Sequence, residues 1–483
     1  MRTLIFIHRW LGIPFSVLFA MWFASGIVMH FVPFPALTEA ERIDGLATVD
    51  LAHMTHGATD AVRASTLKDA TRVRLWQRVD GPVYLISNDS GLNALHAGNL
   101  TSAGIDSKDL SLAIAVDHAR RRELDVAHAA FVELADHDQW TVPNGLDLHR
   151  PLYRIALNDA HGSELYVSST TGEVVRDTTR RERTWNYVGS VVHWIYPTAL
   201  RKHRPAWDLT VWWLSLFATF VAITGVVLGP LQLRIARKRL MSPYRSWHSW
   251  HHWLGLSCMV FVFTWILSGW LSMDQGRLFS EGKVTAAEAS QIIGAPAWAG
   301  LPTAELQRVS APVKEIEWFS FGGQIFRRER AGLDVQRLFL SSSDHSGPGR
   351  EFLQPNEVSA LTRGLAAGCM DAVPVASGDN YALATELPHA PVYRTVCGEV
   401  WFHVDGASGR LLAKLDASRR AYRWFYGALH TFDLPALIAR PMLRTLLIVM
   451  LCAFGLAFSV TGFVIGWRRL RMQFRQADLA PRL

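Results

Sequence analysis

The sequence predicts an α-helical membrane protein with four transmembrane helices in two parallel repeats, joined to two exported α+β domains. Three observations carry this prediction. Residues 10–37, 209–233, 253–273 and 445–467 contain no Asp, Glu, Lys or Arg, and about 20 such residues cross a bilayer as a helix. Residues 38–184 and 274–420 form two long polar connections, and motifs recur at a nearly constant separation in the two halves. The composition agrees. A chain of 483 residues, 49% hydrophobic and 19% charged, is neither one small domain, a disordered segment nor a charged coiled coil.

Residues 1–37 are read as the first transmembrane helix, because the apolar run is too long for a cleaved secretory signal and lacks a small-x-small site. In the first connection, 38–184, alternation at 73–87 around Asp80-Gly81, at 153–157 and at 164–168 before Thr171-Gly172-Glu173 predicts strands, and 113–134 reads as helix. Residues 185–233 hold an interfacial helix and the second span, 234–252 a loop, and 253–273 the third span. The second connection is 274–420, with helix expected at 357–366. Residues 421–467 repeat the interfacial helix and span, and 468–483 form a tail.

Arg234, Arg237, Lys238, Arg239 and Arg245 in the loop, and Arg468, Arg469, Arg471 and Arg475 in the tail, have no acidic neighbour in their runs. The positive-inside rule puts both in the cytoplasm, with both termini there and both connections exported. The formal charge of +7 therefore reflects topology, and no nucleic-acid partner is expected, since the basic residues flank apolar runs instead of lining one soluble face. Cys369 and Cys397 share the second exported connection, so a disulfide is expected there. Cys258 and Cys452 sit inside spans and read as packing residues. No CxxC, CxxCH or zinc spacing occurs, which argues against iron–sulfur and c-type haem sites.

His8-Arg9-Trp10-Leu11-Gly12 matches His251-His252-Trp253-Leu254-Gly255, 243 positions on, and Gly26 matches Gly269 at the same separation. His149-Arg150-Pro151-Leu152-Tyr153-Arg154 matches His389-Ala390-Pro391-Val392-Tyr393-Arg394 at 240 positions. Gly172, His193 and Thr224-Gly225 match Gly409, His430 and Thr461-Gly462 at 237. Parallel repeats are related by a pseudo-twofold axis along the membrane normal, which brings equivalent residues face to face.

His8 and His251 thus form one expected pair at the inner end of the spans, and His193 and His430 another at the outer end. An imidazole in a membrane needs a partner, and an imidazole pair across a gap can hold haem iron from both sides. Two b-type haems follow. His30 lies 22 residues after His8, roughly 33 Å along a helix; it can ligate the outer haem or cap its span. His252 and His248 are alternates to His251, which the repeat favours. Arg201, Arg440 and Arg444, with Lys202 and Arg204, can pair with haem propionates or an anionic substrate, or remain solvated. The many Trp residues read as aromatic belts at the lipid interface, and Gly26, Gly225, Gly269 and Gly462 as points of close approach for helices or a macrocycle. No catalytic residue is singled out.

The chain resembles the PepSY-associated transmembrane family, in particular its bacterial inner-membrane ferric-siderophore reductases. The likeness rests on His8-Arg9-Trp10-Leu11-Gly12, Leu165-Tyr166-Val167 followed by Thr171-Gly172-Glu173-Val174, Leu429-His430-Thr431, and Thr461-Gly462 followed by Trp467-Arg468-Arg469, and covers nearly the whole chain. It implies a di-haem inner-membrane protein that passes electrons outward to ferric chelates, with two periplasmic PepSY-like α+β domains. One departure is Arg410, which stands where the first half has Glu173. The expected route runs from a cytoplasmic donor to a haem on His8 and His251, then to one on His193 and His430, and finally to a ferric siderophore or other ferric chelate. No GxGxxG sits between a strand and a helix, so the donor is expected to be external. The alternative the resemblance leaves open is a non-redox membrane protein that binds or regulates periplasmic peptidases.

Overall fold

A computed structural model describes residues 1–478 except 53, 237–238, 275–277, 280–282, 302, 310–311, 342–348 and 382–389. Arg237 and Lys238 of the basic loop, His389 of the repeated motif and residues 479–483 of the tail lie outside the described residues. The chain forms two compact units, one of Met1–Phe34, Thr184–Ser280 and Arg420–Leu483, the other of Pro35–Arg183 and Glu281–Arg419.

The first unit is built on four helices, Arg2–Phe31, Arg204–Leu231, Ser246–Ser272 and Pro441–Asp478, each long and apolar enough to cross a membrane. The first span starts eight residues before the charge-free run and closes at Phe31, short of the expected residue 37. Pro33 and Pro35 explain the early stop: the residue before a proline is pushed into extended backbone, and Val32 has φ −133° and ψ 90°. The boundary expected at 37 accordingly falls at 34. Proline opens the second and fourth helices, where its missing N–H costs nothing. Phe19, Phe23, Val221, Val262 and Trp265 form the shared core, and Gly455 lets the fourth span close onto the Phe23 ring. Phe217, Phe220, Val260, Leu446 and Phe454 face outward, the arrangement expected where the solvent is hydrocarbon.

The second unit is antiparallel sheet with flanking helices. The first connection supplies β1 (Arg72–Arg78), β2 (Gly81–Asn88), β3 (Gly91–His96), β4 (Ala130–Ala135), β5 (Leu152–Ala156), β6 (Glu164–Ser168) and β7 (Val174–Thr178). A short hairpin, β8 (Arg234–Ala236) and β9 (Arg239–Met241), belongs to the first unit. The second connection supplies β10 (Glu315–Phe321), β11 (Gln324–Arg330), β12 (Gln336–Leu340), β13 (Val373–Pro374), β14 (Val392–Cys397), β15 (Val400–Asp405) and β16 (Leu411–Leu415). β4 to β7 form one four-stranded sheet and β13 to β16 another. The helix Lys108–Arg121 covers the first and Pro355–Thr362 packs on β14 of the second. Cys369 and Cys397 are bonded to each other.

The two connections, expected as separate domains at 38–184 and 274–420, share a sheet instead. Its order is β12-β11-β10-β1-β2-β3, and β1 pairs antiparallel with β10. A three-stranded meander ending on an unpaired strand exposes a row of backbone donors and acceptors. Each connection supplies such an edge at matched positions, and pairing the two edges removes both. The register is centred on Arg74 opposite Glu317, residues that are themselves 243 positions apart. One face of this sheet is apolar, with Val73, Leu75, Tyr84, Ile316 and Trp318. The middle of the other carries Arg72, Arg74, Glu315, Glu317, Arg328 and Arg330.

Candidate functional site

Within the helical unit the four matched histidines meet in two pairs. The ring centroids of His8 and His251 are 6.5 Å apart with planes at 47°, and those of His193 and His430 are 6.5 Å apart at 68°. His8 and His251 project from the first and third spans. His193 and His430 sit in the short turns Ser190–His193 and Leu429–Thr431. Ser25, which holds His193, follows His8 by 17 residues on the first span, so the pairs stand about 25 Å apart along it.

Each imidazole is gripped by one hydroxyl–glycine dipeptide of its own half. His8 Nδ1 is 2.8 Å from Thr224 Oγ1, and His251 Nδ1 is 2.9 Å from Thr461 Oγ1. His193 Nδ1 is 3.0 Å from Ser25 Oγ and His430 Nδ1 is 3.0 Å from Ser268 Oγ. The next residue in every case is the glycine against the ring edge: a Cβ would come within 3.3 Å of Cε1 at Gly225, Gly269 and Gly462, and within 3.6 Å at Gly26. These glycines make room for imidazoles.

The bond pattern assigns the ring protons. Thr224 Oγ1 donates to the Val221 carbonyl at 2.7 Å, and Thr461 Oγ1 to the Phe458 carbonyl at 2.6 Å. Ser25 and Ser268 donate likewise to Met21 and Trp265. With its hydrogen spent, each hydroxyl can only accept, so Nδ1 must be the N–H. The carbonyls of Trp22 and Trp265, each 3.2 Å from the Nδ1 of His193 and His430, require the same tautomer. The Nε2 lone pair is therefore the free one on all four rings, and no Nε2 among them has a hydrogen-bond partner among the described residues.

Imidazoles with Nδ1–H bound and Nε2 open are the form that ligates a metal, and the hydroxyls are the outer partners that orient such ligands. A metal–imidazole bond of about 2.0 Å with about 1.1 Å more to the ring centre would set two rings that share one iron about 6.2 Å apart, centroid to centroid. The observed 6.5 Å fits haem iron. No cluster of three or more metal-type side chains occurs among the described residues, and a porphyrin-bound iron needs only two.

The remaining expected residues are placed differently. His252 uses both ring nitrogens, Nδ1 with Ser242 Oγ and Nε2 with the Gly229 carbonyl, each at 2.8 Å, and so ties the second span to the third. His248 lies against Tyr244. His30 Nε2 is 2.8 Å from Thr445 Oγ1 on the fourth span, a helix-to-helix contact. Arg201 is buried with its guanidinium over the rings of Tyr196 and Trp207 at 5.0 and 4.9 Å. Arg444 donates to the carbonyls of Thr431 and Phe432 and so pins the chain just after His430, where Phe432 has φ +50°. Arg440 is exposed.

Sequence reasoning gave no role to Ser25, Ser268, Thr224 or Thr461; a hydroxyl directly before each repeated glycine was the available signal. It also missed the rings stacked on one half only, Phe458 on His251 at 4.7 Å and Tyr426 on His430 at 5.3 Å. Tyr426 lies in a π-helical turn, Arg423–Ala428, a form frequent at functional sites; the matching position in the first half is Gly189.

A family model described as the PepSY-associated TM region matches residues 6–469. Among curated proteins no match is found.

Proposed function

The chain belongs to the PepSY-associated transmembrane family, and on that footing we propose that it is a haem-b membrane oxidoreductase that moves electrons from a cytoplasmic donor to ferric iron in a periplasmic chelate, with a ferric siderophore as the acceptor class. The observation that carries the reading is the pair of facing imidazole pairs at 6.5 Å, each ring with its Nε2 lone pair free. His8 and His251 would hold one haem, and His193 and His430 the other. When bound, haem supplies one-electron transfer at a potential set by its axial ligands and surroundings.

The chain's own contribution is positioning. Thr224, Thr461, Ser25 and Ser268 fix each tautomer and ring angle before any ligand arrives. The four glycines admit the rings, and Arg444 braces the turn after His430. Membrane insertion in the bacterial inner membrane, with both termini cytoplasmic and the sheet unit in the periplasm, completes the proposal; Arg234, Arg245, Arg468, Arg469 and Arg471 support that orientation.

The test is electron transfer across a sealed membrane. Proteoliposomes loaded with dithionite and placed in ferric citrate with an external ferrous-iron chromophore should form ferrous iron outside, and should lose that activity with His193→Ala. No protein-dependent ferrous signal would overturn the reading, and a colourless preparation that captures a peptidase would support the non-redox alternative.

A further inference from the structure

On the charged face of the six-stranded sheet, Arg74 and Glu317 stand opposite each other in register. Each faces a second charged residue from a glycine turn of its own half. Glu173, just after Gly172, closes on Arg74 at 2.7 Å. Arg410, just after Gly409 and 237 positions beyond Glu173, is electrostatically coupled to Glu317. The two arrangements are copies with the charges exchanged.

They differ in what else reaches the inner member. Glu317 is almost fully buried and already bound by both Arg72 and Arg328. Its carboxylate is ion-paired without Arg410, whose guanidinium makes no hydrogen bond or ion pair among the described residues and is exposed. The position is nevertheless fixed. Arg72 donates to the Ser408 carbonyl at 3.2 Å, and Gly409, at φ +66°, packs so tightly that a Cβ there would come within 2.7 Å of the Phe321 ring, so only glycine makes this turn.

Six arginines, Arg42, Arg72, Arg74, Arg328, Arg330 and Arg410, thus meet four carboxylates, Glu39, Glu173, Glu315 and Glu317. The surplus positive charge lies at the solvent-facing end of the cluster, where Arg410 stands. The neighbouring Arg72 charge pushes the Arg410 pKa down to about 10, a repulsion that an anion from outside would relieve.

We infer that Arg410, backed by Arg72 and Arg328, is a binding site for a soluble multivalent carboxylate, whose carboxyl group takes at Arg410 the role that the Glu173 side chain takes at Arg74. Guanidinium groups bind carboxylates through paired N–H donors, and the surplus charge favours a di- or tricarboxylate over a monovalent anion. The site lies within the sheet unit and does not depend on whether the helical unit holds haem.

Isothermal calorimetry of the full chain in detergent, with citrate as the probe at low salt, tests this. One saturable event is expected, weakened at least about tenfold by Arg410→Gln, the loss of a charge-assisted contact, and abolished by Arg410→Glu. Added salt should weaken it. Because the residue is exposed, both variants should melt as the parent does; should the Glu variant fail to fold, the Gln variant decides. No saturable citrate heat in the parent, unchanged affinity in the variants, or tighter binding of inorganic phosphate than of citrate would each overturn the assignment.

Discussion

Thr224 Oγ1 takes the Nδ1 proton of His8 at 2.8 Å while giving its own hydrogen to the Val221 carbonyl at 2.7 Å. The imidazole can therefore present only its Nε2 lone pair toward His251. The same logic holds at Thr461, Ser25 and Ser268, so all four rings are oriented by groups that never touch the partner ring. Pre-orientation of this kind spares ligand binding the entropy of ordering the rings.

Thr224→Val and Thr461→Val each remove the hydroxyl acceptor of a buried imidazole N–H, and loss of such an outer partner typically costs 10- to 100-fold in affinity. Haem titration of the apo protein should show that loss. Ser25→Ala and Ser268→Ala should lose about as much, because all four rings have a backbone carbonyl beside the hydroxyl, Val221 at His8, Phe458 at His251, Trp22 at His193 and Trp265 at His430. A loss confined to one of the two sets would contradict this.

Gly462→Val should displace His251, since even a Cβ stands 3.3 Å from its Cε1 and 3.2 Å from the Ser16 Cβ. One of two haems should be lost, read by pyridine haemochrome. Gly12→Val has nothing within 4 Å of the new Cβ and should retain both.

Glu315 is 1% exposed and paired with Arg42 at 2.7 Å, Arg74 at 3.3 Å and Arg330 at 3.4 Å. Glu315→Gln leaves buried arginines without compensation and should cost about 3–5 kcal/mol in urea unfolding of the sheet unit, followed in the full chain by the near-ultraviolet signal of Trp318. Glu39, 46% exposed, should cost about 1 kcal/mol or less when replaced by Gln.

Burial, with Arg122, Arg42 and Lys314 nearby, pushes His118 down to about 3, and burial brings His403 to about 4. The unfolded chain takes up these protons near pH 6.5 and the folded one does not, so stability is intact above about pH 6.5 and falls as pH drops below it. At Glu39 the penalty of burial is outweighed by Arg42 and Arg330, which hold it at about 2, so its loss begins only below about pH 4.5. His118→Gln should shrink the stability difference between pH 7.5 and pH 5.0 by about 2 kcal/mol. An unchanged difference in urea titrations would contradict this.

Much of the helical unit was legible because a span announces itself by the absence of charge, and because His8 with His251 and His193 with His430 recur at fixed separations. The end of the first span was not, since a charge count does not register Pro33. The β1–β10 pairing was invisible for a different reason: strand alternation reveals a face but not the partner of an edge, and these partners lie 243 positions apart. The hydroxyl–glycine dipeptides were in view as repeated glycines, yet their role needs the ring edge and Nδ1 to be placed in space. The exchange of Glu173 for Arg410 was readable as a departure, and its meaning came only from seeing Glu317 already paired with Arg72 and Arg328.

The central claim is that the facing imidazoles hold two haems. The most direct measurement is the haem-to-protein ratio of the purified chain, with its dithionite-reduced minus oxidised spectrum, beside His8→Ala, His251→Ala, His193→Ala and His430→Ala. The account predicts two b-type haems in the parent and one in each variant, the first two variants retaining the same haem and the last two the other. Two haems in all four variants, or none in the parent after expression with haem supplied, would contradict it.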